Sequence, residues 1–470
     1  MVGVAGVRGI VDKDLTPAVV TRWAAAFGTW VREGAKGASV IIGRDSRTSG
    51  PRFTQAVIAG LQAAGCSARD VGVAPTPTVQ LAVLYHGAGG GIAITASHNP
   101  IEWNALKFIG PDGIFLDGAD GARVRELAER PDKTRGKGKG ERGGVTADTD
   151  AVERHLAAVL ALPVLDRERI RGRKLTVCLD AVRGAGGPPM RALLERLGCT
   201  VRGIHLETDG DFPHPPEPTP ENLTELAALV RRAGADVGLA VDPDVDRLAI
   251  VAENGEPIGE DYTLAFAVRA VLGGRPGGRT AGREQPSRSG GPAVRPSVVC
   301  NLSTSLVVAD AARECGAEVV RTPVGEAHVA RKMVELGAVI GGEGNGGVMY
   351  APLHVGRDAP VAAALVLELL ARDGRPPSEL VAAAPRYTIV KAKVPRDLPL
   401  SLARAYAALK QRFPDAAPDE QDGLRLGWDD RWLHVRPSNT EPVVRLIAEA
   451  PAPELARQLV EEGRRACAAS

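Results

Sequence analysis

Two features of the sequence predict an α/β fold with three similar domains, mixed sheets and a smaller C-terminal α+β domain around one cleft. The first is a unit of strand, helix and strand that occurs three times, with helices expected at about 52–64, about 188–197 and ending near 314. Short apolar runs alternating with helices are typical of β-α-β units. The second is a glycine at the end of each helix, where a left-handed cap is needed.

In each repeat, a further strand leads into an unusual polar loop. The three loops are 95–100, 242–247 and the glycine-rich stretch 341–347. In open α/β sheets, ligands bind beyond the carboxyl ends of the strands. Three similar domains therefore offer three different loops at equivalent positions, which favours one shared cleft.

We expect domain boundaries that divide the chain into 1–150, 151–258, 259–384 and 385–470. The last part is predicted to begin with a strand near 385–393, to form further strands within 424–435 and to end in a helix at about 452–468. Two stretches rich in glycine and basic residues, 133–144 and 273–296, are expected to be disordered surface insertions.

Composition and charge exclude several classes of function. The 470 residues include 58 basic and 57 acidic side chains, so a net charge of +1 predicts no general attraction to nucleic acid or membranes. The six cysteines form no C-x-x-C pair, which favours a reducing cytoplasm. We find no secretory signal and no run of residues long enough to span a membrane.

Ser97 is the candidate nucleophile. It follows a predicted strand directly, so its hydroxyl is displayed at the strand tip, where it can accept a phosphoryl group. The alternative is a plain Asn-Pro turn at 99–100.

Asp242, Asp244 and Asp246 are candidate metal ligands, since three carboxylates at alternate positions offer hard oxygen atoms to Mg²⁺ or Ca²⁺. An EF-hand is excluded because Arg247 stands where that loop needs glycine, and because 248–252 is predicted to be a strand. Arg247 would place a positive charge beside the metal and contact a phosphoryl oxygen. A solvated acidic loop is the remaining alternative.

Two further loops carry polar groups that suit a sugar phosphate. Glu343 and Asn345 are expected to project from a flexible glycine-rich backbone toward sugar hydroxyls, although a bare glycine turn is the alternative. The stretch 436–442, followed by Arg445, combines arginines with neutral hydrogen-bond donors and can bind a phosphate. An ordinary polar turn between strands would explain it equally well.

Five motifs, in this order and across almost the whole chain, resemble those of the α-D-phosphohexomutase family. They are Gly6-Val7-Arg8-Gly9, Thr95-Ala96-Ser97-His98-Asn99-Pro100, Asp242-Pro243-Asp244-Val245-Asp246-Arg247, Gly342-Glu343-Gly344-Asn345-Gly346-Gly347 and Arg436-Pro437-Ser438-Asn439-Thr440-Glu441-Pro442. The resemblance implies four domains around one cleft, with the fourth binding phosphate. The chain departs from many relatives at Asn345, where they carry serine, and at 102–105; both features resemble a branch that acts on glucosamine phosphate.

The resemblance also implies roles for individual residues. Ser97 would carry a phosphate, and Mg²⁺ would be held by a phosphoserine oxygen and the three aspartates. Lys107 would be a general acid/base whose proton affinity is lowered by neighbouring positive charge. The residues implied near the reacting group are Arg8, His98 and Lys107; those implied for the sugar are Gly325, His328, Glu343 and Asn345; those implied for the substrate phosphate are Arg436, Ser438, Asn439, Thr440 and Arg445.

The implied reaction interconverts hexose 6-phosphate and hexose 1-phosphate through a phosphoserine and a hexose bisphosphate, which would also be the activator. Glucosamine 6-phosphate is the first candidate substrate, and mannose and glucose phosphates are alternatives. A phosphatase using the same serine and metal, or a non-catalytic sugar-phosphate sensor, would be a different class of protein. The expected partner is a small sugar phosphate, and the chain is expected to be a monomer or homodimer.

Overall fold

The computed structural model describes residues 2–3, 6–34, 37–130, 143–273, 296–396, 401–438 and 442–469. Apart from their end residues, the predicted insertions 133–144 and 273–296 lie outside these ranges. No helix in the described ranges combines the length and the apolar character that crossing a membrane requires.

The first sheet has seven strands in the order β1-β2-β6-β5-β3-β4-β7 and mixes parallel with antiparallel pairs. Its strands are β1 (Val2–Gly3), β2 (Gly6–Ile10), β3 (Ser39–Arg44), β4 (Ser67–Val73), β5 (Gly90–Ile94), β6 (Trp103–Ile109) and β7 (Val145–Ala147). Its helices are α1 (Pro17–Glu33), α2 (Gly50–Ala63), α3 (Thr76–His86) and α4 (Gly118–Glu129).

The second sheet has the strand order β11-β10-β8-β9. Its strands are β8 (Thr176–Asp180), β9 (Thr200–Ile204), β10 (Val237–Val241) and β11 (Leu248–Ala252). The helices of this part are α5 (Ala151–Leu160), α6 (Arg167–Arg173), α7 (Gly187–Arg196), a short 3-10 helix (Pro220–Asn222) and α8 (Thr224–Ala233). Helix α9 (Asp261–Leu272) follows β11 along the chain and packs mainly against the third part of the molecule.

The third sheet has the strand order β13-β12-β14-β15. Its strands are β12 (Ser297–Asn301), β13 (Glu318–Thr322), β14 (Ile340–Glu343) and β15 (Gly347–Tyr350). The accompanying helices are α10 (Leu306–Glu314), α11 (Glu326–Leu336), α12 (Ala359–Asp373) and α13 (Pro377–Ala382).

The predicted threefold repeat is present in these sheets. In each, the first strand of the repeat (β3, β8 or β12) lies between two parallel neighbours, and the strand beyond the second neighbour is antiparallel. The glycines expected to end the helices, Gly65, Gly198 and Gly316, all have positive φ angles.

The fourth sheet is entirely antiparallel, in the order β16-β20-β19-β18-β17. Its strands are β16 (Thr388–Pro395), β17 (Ala417–Asp419), β18 (Leu424–Gly427), β19 (Trp432–Pro437) and β20 (Val443–Ala450). Helix α14 (Leu402–Arg412) and the predicted final helix, α15 (Pro453–Ala468), pack on it. The smaller C-terminal α+β unit is thus confirmed, while α14 and β20 are absent from the sequence-based prediction.

A buried histidine pair joins the first three parts of the molecule. Asp358, the N-cap of α12, accepts hydrogen bonds on Oδ2 from Nε2 of His155 and Nε2 of His354, each at 2.9 Å. The other ring nitrogen of His155 lies 2.8 Å from Oγ1 of Thr78 in α3. These bonds link α3, α5 and the start of α12, which belong to the first, second and third parts of the chain.

Glu449 on β20 joins the C-terminal part to the third sheet. Its buried carboxylate accepts hydrogen bonds from the Ser305 hydroxyl and, at 2.8 Å, from the N–H of Leu306, so it satisfies the start of α10. Trp432 donates its ring N–H to the same carboxylate at 2.6 Å. The start of a helix leaves backbone N–H groups without partners, and here a side chain from the neighbouring part supplies one.

Candidate active site

Ser97 lies two residues beyond the Thr95 that follows β5, and its backbone has the left-handed φ of +50°. Its N–H donates to Oγ1 of Thr95 at 2.9 Å. Its hydroxyl donates to Oδ2 of Asp242 at 2.6 Å, across the boundary between the first and second sheets. A serine in this strained region of φ is held there by its surroundings, so its hydroxyl has a fixed direction.

Arg47 supplies those surroundings, although the sequence analysis did not identify it. Its fully buried guanidinium donates five hydrogen bonds, one to Asp45 Oδ2 and four to backbone carbonyls. The carbonyl acceptors belong to Ser97, Asn99, Pro100 and Trp103. All five guanidinium N–H donors are therefore used. Four of them bind the segment 97–103, called the serine loop below.

Asp242, Asp244 and Asp246 follow the end of β10, and one carboxylate oxygen of each lies within 4.8 Å of the other two. Asp242 Oδ1 accepts the N–H of Asp246 at 3.1 Å and of Arg247 at 3.2 Å. Within the described ranges, Oδ1 of Asp244 and Oδ1 of Asp246 are buried and accept no hydrogen bond. Buried carboxylate oxygens without donors fit a divalent cation such as Mg²⁺, which prefers hard oxygen ligands.

The surroundings shift the pKa values of Asp242 and Asp244 in opposite directions. Burial, and then the charges of Asp246 and Asp244, raise the pKa of Asp242 well above its ordinary value. At Asp244 burial acts in the same direction, but the Lys107 ammonium outweighs it and holds the pKa of that carboxyl below its ordinary value. The cluster therefore disfavours the charged form of Asp242 and favours the charged form of Asp244.

Lys107 on β6 departs from the sequence-based expectation. Its ammonium group donates to Asp244 Oδ2 at 2.6 Å and to Asp246 Oδ2 at 3.4 Å. Burial lowers its pKa, but these two carboxylates outweigh burial, and the net effect is a raised pKa. The expected lowering by neighbouring positive charge is wrong for this arrangement, because the nearest charges are negative.

His98 lies beside the serine, and Arg8 contacts the same loop at Asn99. Nδ1 of His98 is 3.4 Å from Ser97 Oγ, and Arg8 on β2 donates to the side-chain oxygen of Asn99 at 2.8 Å. Burial, followed by the positive charges of Arg247 and Arg8, lowers the pKa of His98 well below its ordinary value. The His98 ring is therefore neutral at physiological pH.

Arg247 faces the same space as His98. Its Nε lies 3.8 Å from Asp246 Oδ1, and its Nη1 lies 3.5 Å from Oε1 of Glu217. The same Glu217 oxygen is 3.8 Å from Nε2 of His98. Glu217, which the sequence-based prediction does not include, thus lies close to both Arg247 and His98.

The glycine-rich stretch differs from its prediction. Gly341 to Glu343 belong to β14 and Gly347 begins β15, so the connecting loop is only 344–346. The Glu343 carboxylate is buried and accepts hydrogen bonds from Asn301 Nδ2 at 2.8 Å and from Gly325 N at 3.1 Å. It does not project from a flexible backbone. Its position at the end of a parallel strand explains the difference, because the neighbouring strand ends supply its partners.

Arg357, a second arginine absent from the sequence analysis, connects Glu343 to the aspartates. It donates to Asp246 Oδ2 at 2.6 Å and to Glu343 Oε2 at 3.0 Å, and its Nε lies 3.0 Å from Oε2 of Glu326. Although burial opposes it, these charges raise its pKa well above the ordinary value. The aspartate loop and the predicted sugar loop are thus one ion-paired unit.

The other residues predicted for the sugar lie around this unit. Asn345 Oδ1 accepts the N–H of Gly347 at 3.2 Å. Gly325, with a φ of +137°, precedes α11, and His328 lies in the first turn of that helix with its ring beside Gly325. The structure therefore places Gly325 next to Glu343, whose carboxylate accepts the Gly325 N–H.

The C-terminal loop is connected to the same region through Asp422. Asp422 Oδ2 accepts hydrogen bonds from Arg436 Nε at 2.8 Å and from the N–H of Val324 at 3.1 Å. The predicted phosphate-binding arginine is thereby tied to the residue that precedes Gly325. Asp422 was not identified in the sequence, since an isolated Asp-Gly pair is an ordinary turn signal.

The remaining predicted phosphate ligands are described in part. Arg445 on β20 donates to Ser438 Oγ at 3.3 Å and stands opposite Arg436 in the strand pairing. Asn439 and Thr440 lie outside the described residues. The described members of this set share one end of the β19–β20 hairpin.

Family profiles of phosphoglucomutase/phosphomannomutase match the chain in four consecutive parts. The profiles are alpha/beta/alpha domain I at residues 1–135, domain II at 153–255, domain III at 281–387 and the C-terminal domain at 390–466.

Whole-chain comparisons agree with these profiles. A phosphoglucomutase/phosphomannomutase from Thermococcus kodakarensis is 38% identical, with 98% of this chain and 97% of that protein covered. A probable phosphoglucosamine mutase from Methanopyrus kandleri is 36% identical, with 98% and 96% covered. Among solved structures, a phosphoglucomutase/phosphomannomutase family protein from Burkholderia thailandensis superposes with a TM-score of 0.80 at 28% identity, covering 99% of this chain and 96% of its own.

Proposed function

The chain belongs to the phosphoglucomutase/phosphomannomutase family, and from this premise we propose that it interconverts hexose 6-phosphate and hexose 1-phosphate through a phosphoserine at Ser97 and a hexose bisphosphate. One observation carries the proposal: the Ser97 hydroxyl donates a 2.6 Å hydrogen bond into a buried cluster of three aspartates. A nucleophilic hydroxyl beside a divalent-cation site is the arrangement that phosphoryl transfer requires.

Mg²⁺ is the proposed metal, and its ligands would be Asp242, Asp244, Asp246 and an oxygen on Ser97. The donor set supports this assignment because every candidate ligand is a hard oxygen, and two of the carboxylate oxygens are buried without a donor. When bound, the cation supplies positive charge that offsets the charge on the transferring phosphoryl oxygens.

In the first transfer, the bond between phosphorus and Ser97 Oγ breaks while a bond forms from phosphorus to the free hydroxyl of the sugar phosphate. The proton leaves that hydroxyl, and Ser97 Oγ ends as a hydroxyl. Neutral His98, 3.4 Å from Oγ, can accept and return a proton, and the Lys107 ammonium can donate one. A cation among the aspartates would offset the charges that raise the Lys107 pKa, which brings Lys107 closer to base function.

The second transfer reverses these steps with the other phosphate. The bisphosphate turns over, so that its original phosphate returns to Ser97. Arg436, Ser438 and Arg445, with Asn439 and Thr440 as the remaining proposed ligands, would hold whichever phosphate is not reacting. Bidentate contacts from arginine suit a phosphate at either end of the sugar.

Glucosamine 6-phosphate is the proposed substrate, supported by the probable phosphoglucosamine mutase from M. kandleri and by Asn345 in the sugar loop. Glucose and mannose phosphates are the second candidates, because the T. kodakarensis relative with 38% identity is named for them. Glu343 and Asn345 would meet the sugar hydroxyls in either case.

The test is a phosphorus NMR assay of the full chain with Mg²⁺ and a trace of hexose bisphosphate. The 6-phosphates of glucosamine, N-acetylglucosamine, glucose and mannose are offered in parallel. Ser97→Ala is compared with Ser67→Ala, which removes an exposed hydroxyl from β4. We expect conversion to 1-phosphate in the wild type and in Ser67→Ala, and none in Ser97→Ala.

The products distinguish the alternatives. The fastest sugar identifies the preferred substrate. Inorganic phosphate as the main product would replace the mutase with a serine- and metal-dependent phosphatase. Binding of sugar phosphate without any product would favour a sensor.

A further inference from the structure

A second cluster of metal-binding side chains lies outside the aspartate triad. Asp180 ends β8, His205 follows β9 directly, and His214 lies in the loop beyond it. One ligand atom from each lies within 4.8 Å of the other two. The Asp180 carboxylate is buried, while the two ring side chains are 17% and 14% exposed, so an ion has a path from solvent.

The distances suit a small cation. His205 Nδ1 lies 3.1 Å from Asp180 Oδ1, and His214 Nε2 lies 3.2 Å from Asp180 Oδ2. Ligands of a tetrahedral zinc ion, at about 2.0–2.2 Å from the metal, stand about 3.3 Å from one another. Both histidine contacts with Asp180 are close to this spacing.

The second ring nitrogen of each histidine already has a partner. His214 Nδ1 donates to the carbonyl oxygen of Pro215 at 2.9 Å, which turns Nε2 toward Asp180. His205 Nε2 lies 3.4 Å from the Glu225 carboxylate, which turns Nδ1 toward Asp180. Metal-binding histidines are usually oriented in this way by a carbonyl or a carboxylate.

The backbone supports the same arrangement. Asp180 Oδ1 accepts the N–H of Val182 at 2.9 Å, which fixes the carboxylate while its Oδ2 faces His214 Nε2. His205 has a φ of +53°, a conformation uncommon for residues other than glycine. Such strain persists where the surroundings favour it, and at functional sites it often orients a ligand.

We propose that Asp180, His205 and His214 bind one Zn²⁺ ion, with a water molecule as the fourth ligand. Two imidazoles and one carboxylate form a ligand set that zinc takes readily and Mg²⁺ does not prefer. The site is separate from the triad formed by Asp242, Asp244 and Asp246.

The ion would stabilise the segment 205–217, which supports the serine loop. Within it, Gly210 packs against the backbone of Ser46, where a Cβ atom would lie 2.4 Å from the Ser46 carbonyl oxygen. The Phe212 ring packs against Arg47, whose guanidinium carbon lies 5.1 Å from the ring centre. Glu217 ends the segment beside His98. The proposed zinc would therefore anchor the start of a segment that contacts Arg47.

The test titrates Zn²⁺ into the full chain after removal of metals, in a large excess of Mg²⁺, by isothermal titration calorimetry. Co²⁺ absorption reports whether nitrogen ligands are bound. The variants are His214→Gln and His205→Asn; asparagine tolerates the left-handed backbone. His86→Gln is the matched control, since His86 pairs with Asp148 at 2.7 Å on another surface. Thermal melting without metal checks that each variant is folded.

We expect one tight zinc site in the wild type and in His86→Gln, weakened about 100-fold or more in both ligand variants. Zinc should also slow hydrogen exchange in 205–217. Absence of a zinc site in the wild type, or zinc binding by His205→Asn and His214→Gln as tight as that of the wild type, would overturn the proposal and leave the cluster as histidines ion-paired to Asp180. These readouts do not use mutase activity, so they are independent of the proposed reaction.

Discussion

Arg47 and Arg357 hold the candidate site together although neither stands in one of its motifs. Each has a buried guanidinium whose partners come from distant parts of the chain: Arg47 holds the serine loop, and Arg357 joins Asp246 to Glu343. Buried arginines of this kind provide several directed hydrogen bonds from one planar group, which lysine cannot reproduce.

We expect Arg47→Met to lower the free energy of unfolding by about 3–5 kcal/mol, because it leaves the buried Asp45 carboxylate without its counter-charge. Urea denaturation measures the loss. The control is Arg52→Met, which breaks an ion pair with Asp12 whose side chains are 47% and 63% exposed. That pair should contribute no more than about 1 kcal/mol. Equal losses in the two variants would contradict the role given to Arg47.

His434 gives a pH-dependent contribution to stability. It is buried between the hydroxyl of Ser303 at 2.9 Å and the carbonyl oxygen of Asp422 at 2.7 Å. Because a carbonyl only accepts, Nε2 carries the proton and Nδ1 accepts from Ser303. Burial, with smaller effects of Arg436 and Arg425, lowers the pKa of His434 to about 4.

The direction in which stability changes with pH follows from this lowered pKa. Between about pH 6.5 and pH 4 the unfolded chain binds a proton at His434 and the folded chain does not, so stability falls as pH falls through this window. We expect His434→Gln, whose amide can satisfy both partners, to remove a slope of about 1.4 kcal/mol per pH unit. Unfolding curves at several pH values measure it. The two proteins should run parallel above pH 7, and parallel curves below pH 6 would contradict the assignment.

At the scale of single residues, the sequence predicts the residues that belong to motifs. It does not predict residues such as Arg47, which hold those motifs in place. Ser97 and the three aspartates were found because they follow buried strands directly. Arg47 also follows a strand, in Arg44-Asp45-Ser46-Arg47, and its place at the same sheet edge as the serine loop was a usable signal. Its four carbonyl acceptors have no sequence signature, since every residue has a carbonyl.

Among the elements, the alternating strands and helices of the three repeats are predicted from the sequence. Helix α12, which has no polar face, is not. All residues of α12 from Ala359 to Ala371 are buried, so its sequence lacks the periodicity that reveals a surface helix. The glycine-rich stretch 341–347 is predicted to be a loop, but most of it forms strand. Glycine there allows close packing: a Cβ on Gly341 would lie 2.6 Å from the carbonyl oxygen of Val299.

Close approach also determines the packing of α1 against α2. A Cβ atom on Gly60 would stand 2.4 Å from the Thr21 carbonyl oxygen and 2.9 Å from the N atom of Ala25. We expect Gly60→Ala to destabilise the protein by about 1–3 kcal/mol, because the two helices must separate. Gly172 in α6 has open space around its Cα, and Gly172→Ala should instead stabilise by up to about 1 kcal/mol through helix propensity. Thermal unfolding of the two variants measures both changes, and a stabilised Gly60→Ala would refute the close contact.

Across the whole molecule, a chain of polar contacts runs from the serine loop to the C-terminal sheet. Its members, in order, are Ser97, Asp242, Asp246, Arg357, Glu343, Gly325, Val324, Asp422 and Arg436. The four parts of the fold and their order were predicted from the repeat and the motifs, and the family matches confirm them. The contacts between parts were not predictable, because they join residues 98 to 145 positions apart.

Asp422→Ala tests the last of these contacts. We expect KM for the preferred hexose phosphate to rise several-fold with a smaller change in kcat, because Arg436 loses its orientation while Ser97 and the aspartates are untouched. Steady-state kinetics provide both constants. Asp415→Ala, which removes a partner of Trp428 on another surface of the same domain, should leave both unchanged. A loss confined to kcat in Asp422→Ala would contradict this account.

Arg47 donates a 2.6 Å hydrogen bond from Nη2 to the backbone carbonyl of Ser97, and this bond limits how a reaction cycle can proceed. Under the proposed function, Ser97 is therefore a phosphate carrier whose backbone is held in place. It cannot swing to meet a second hydroxyl, in the way that a carrier on a long flexible arm can. Under the proposed function, all travel between the two half-reactions therefore falls to the sugar and to the domain that holds its distant phosphate.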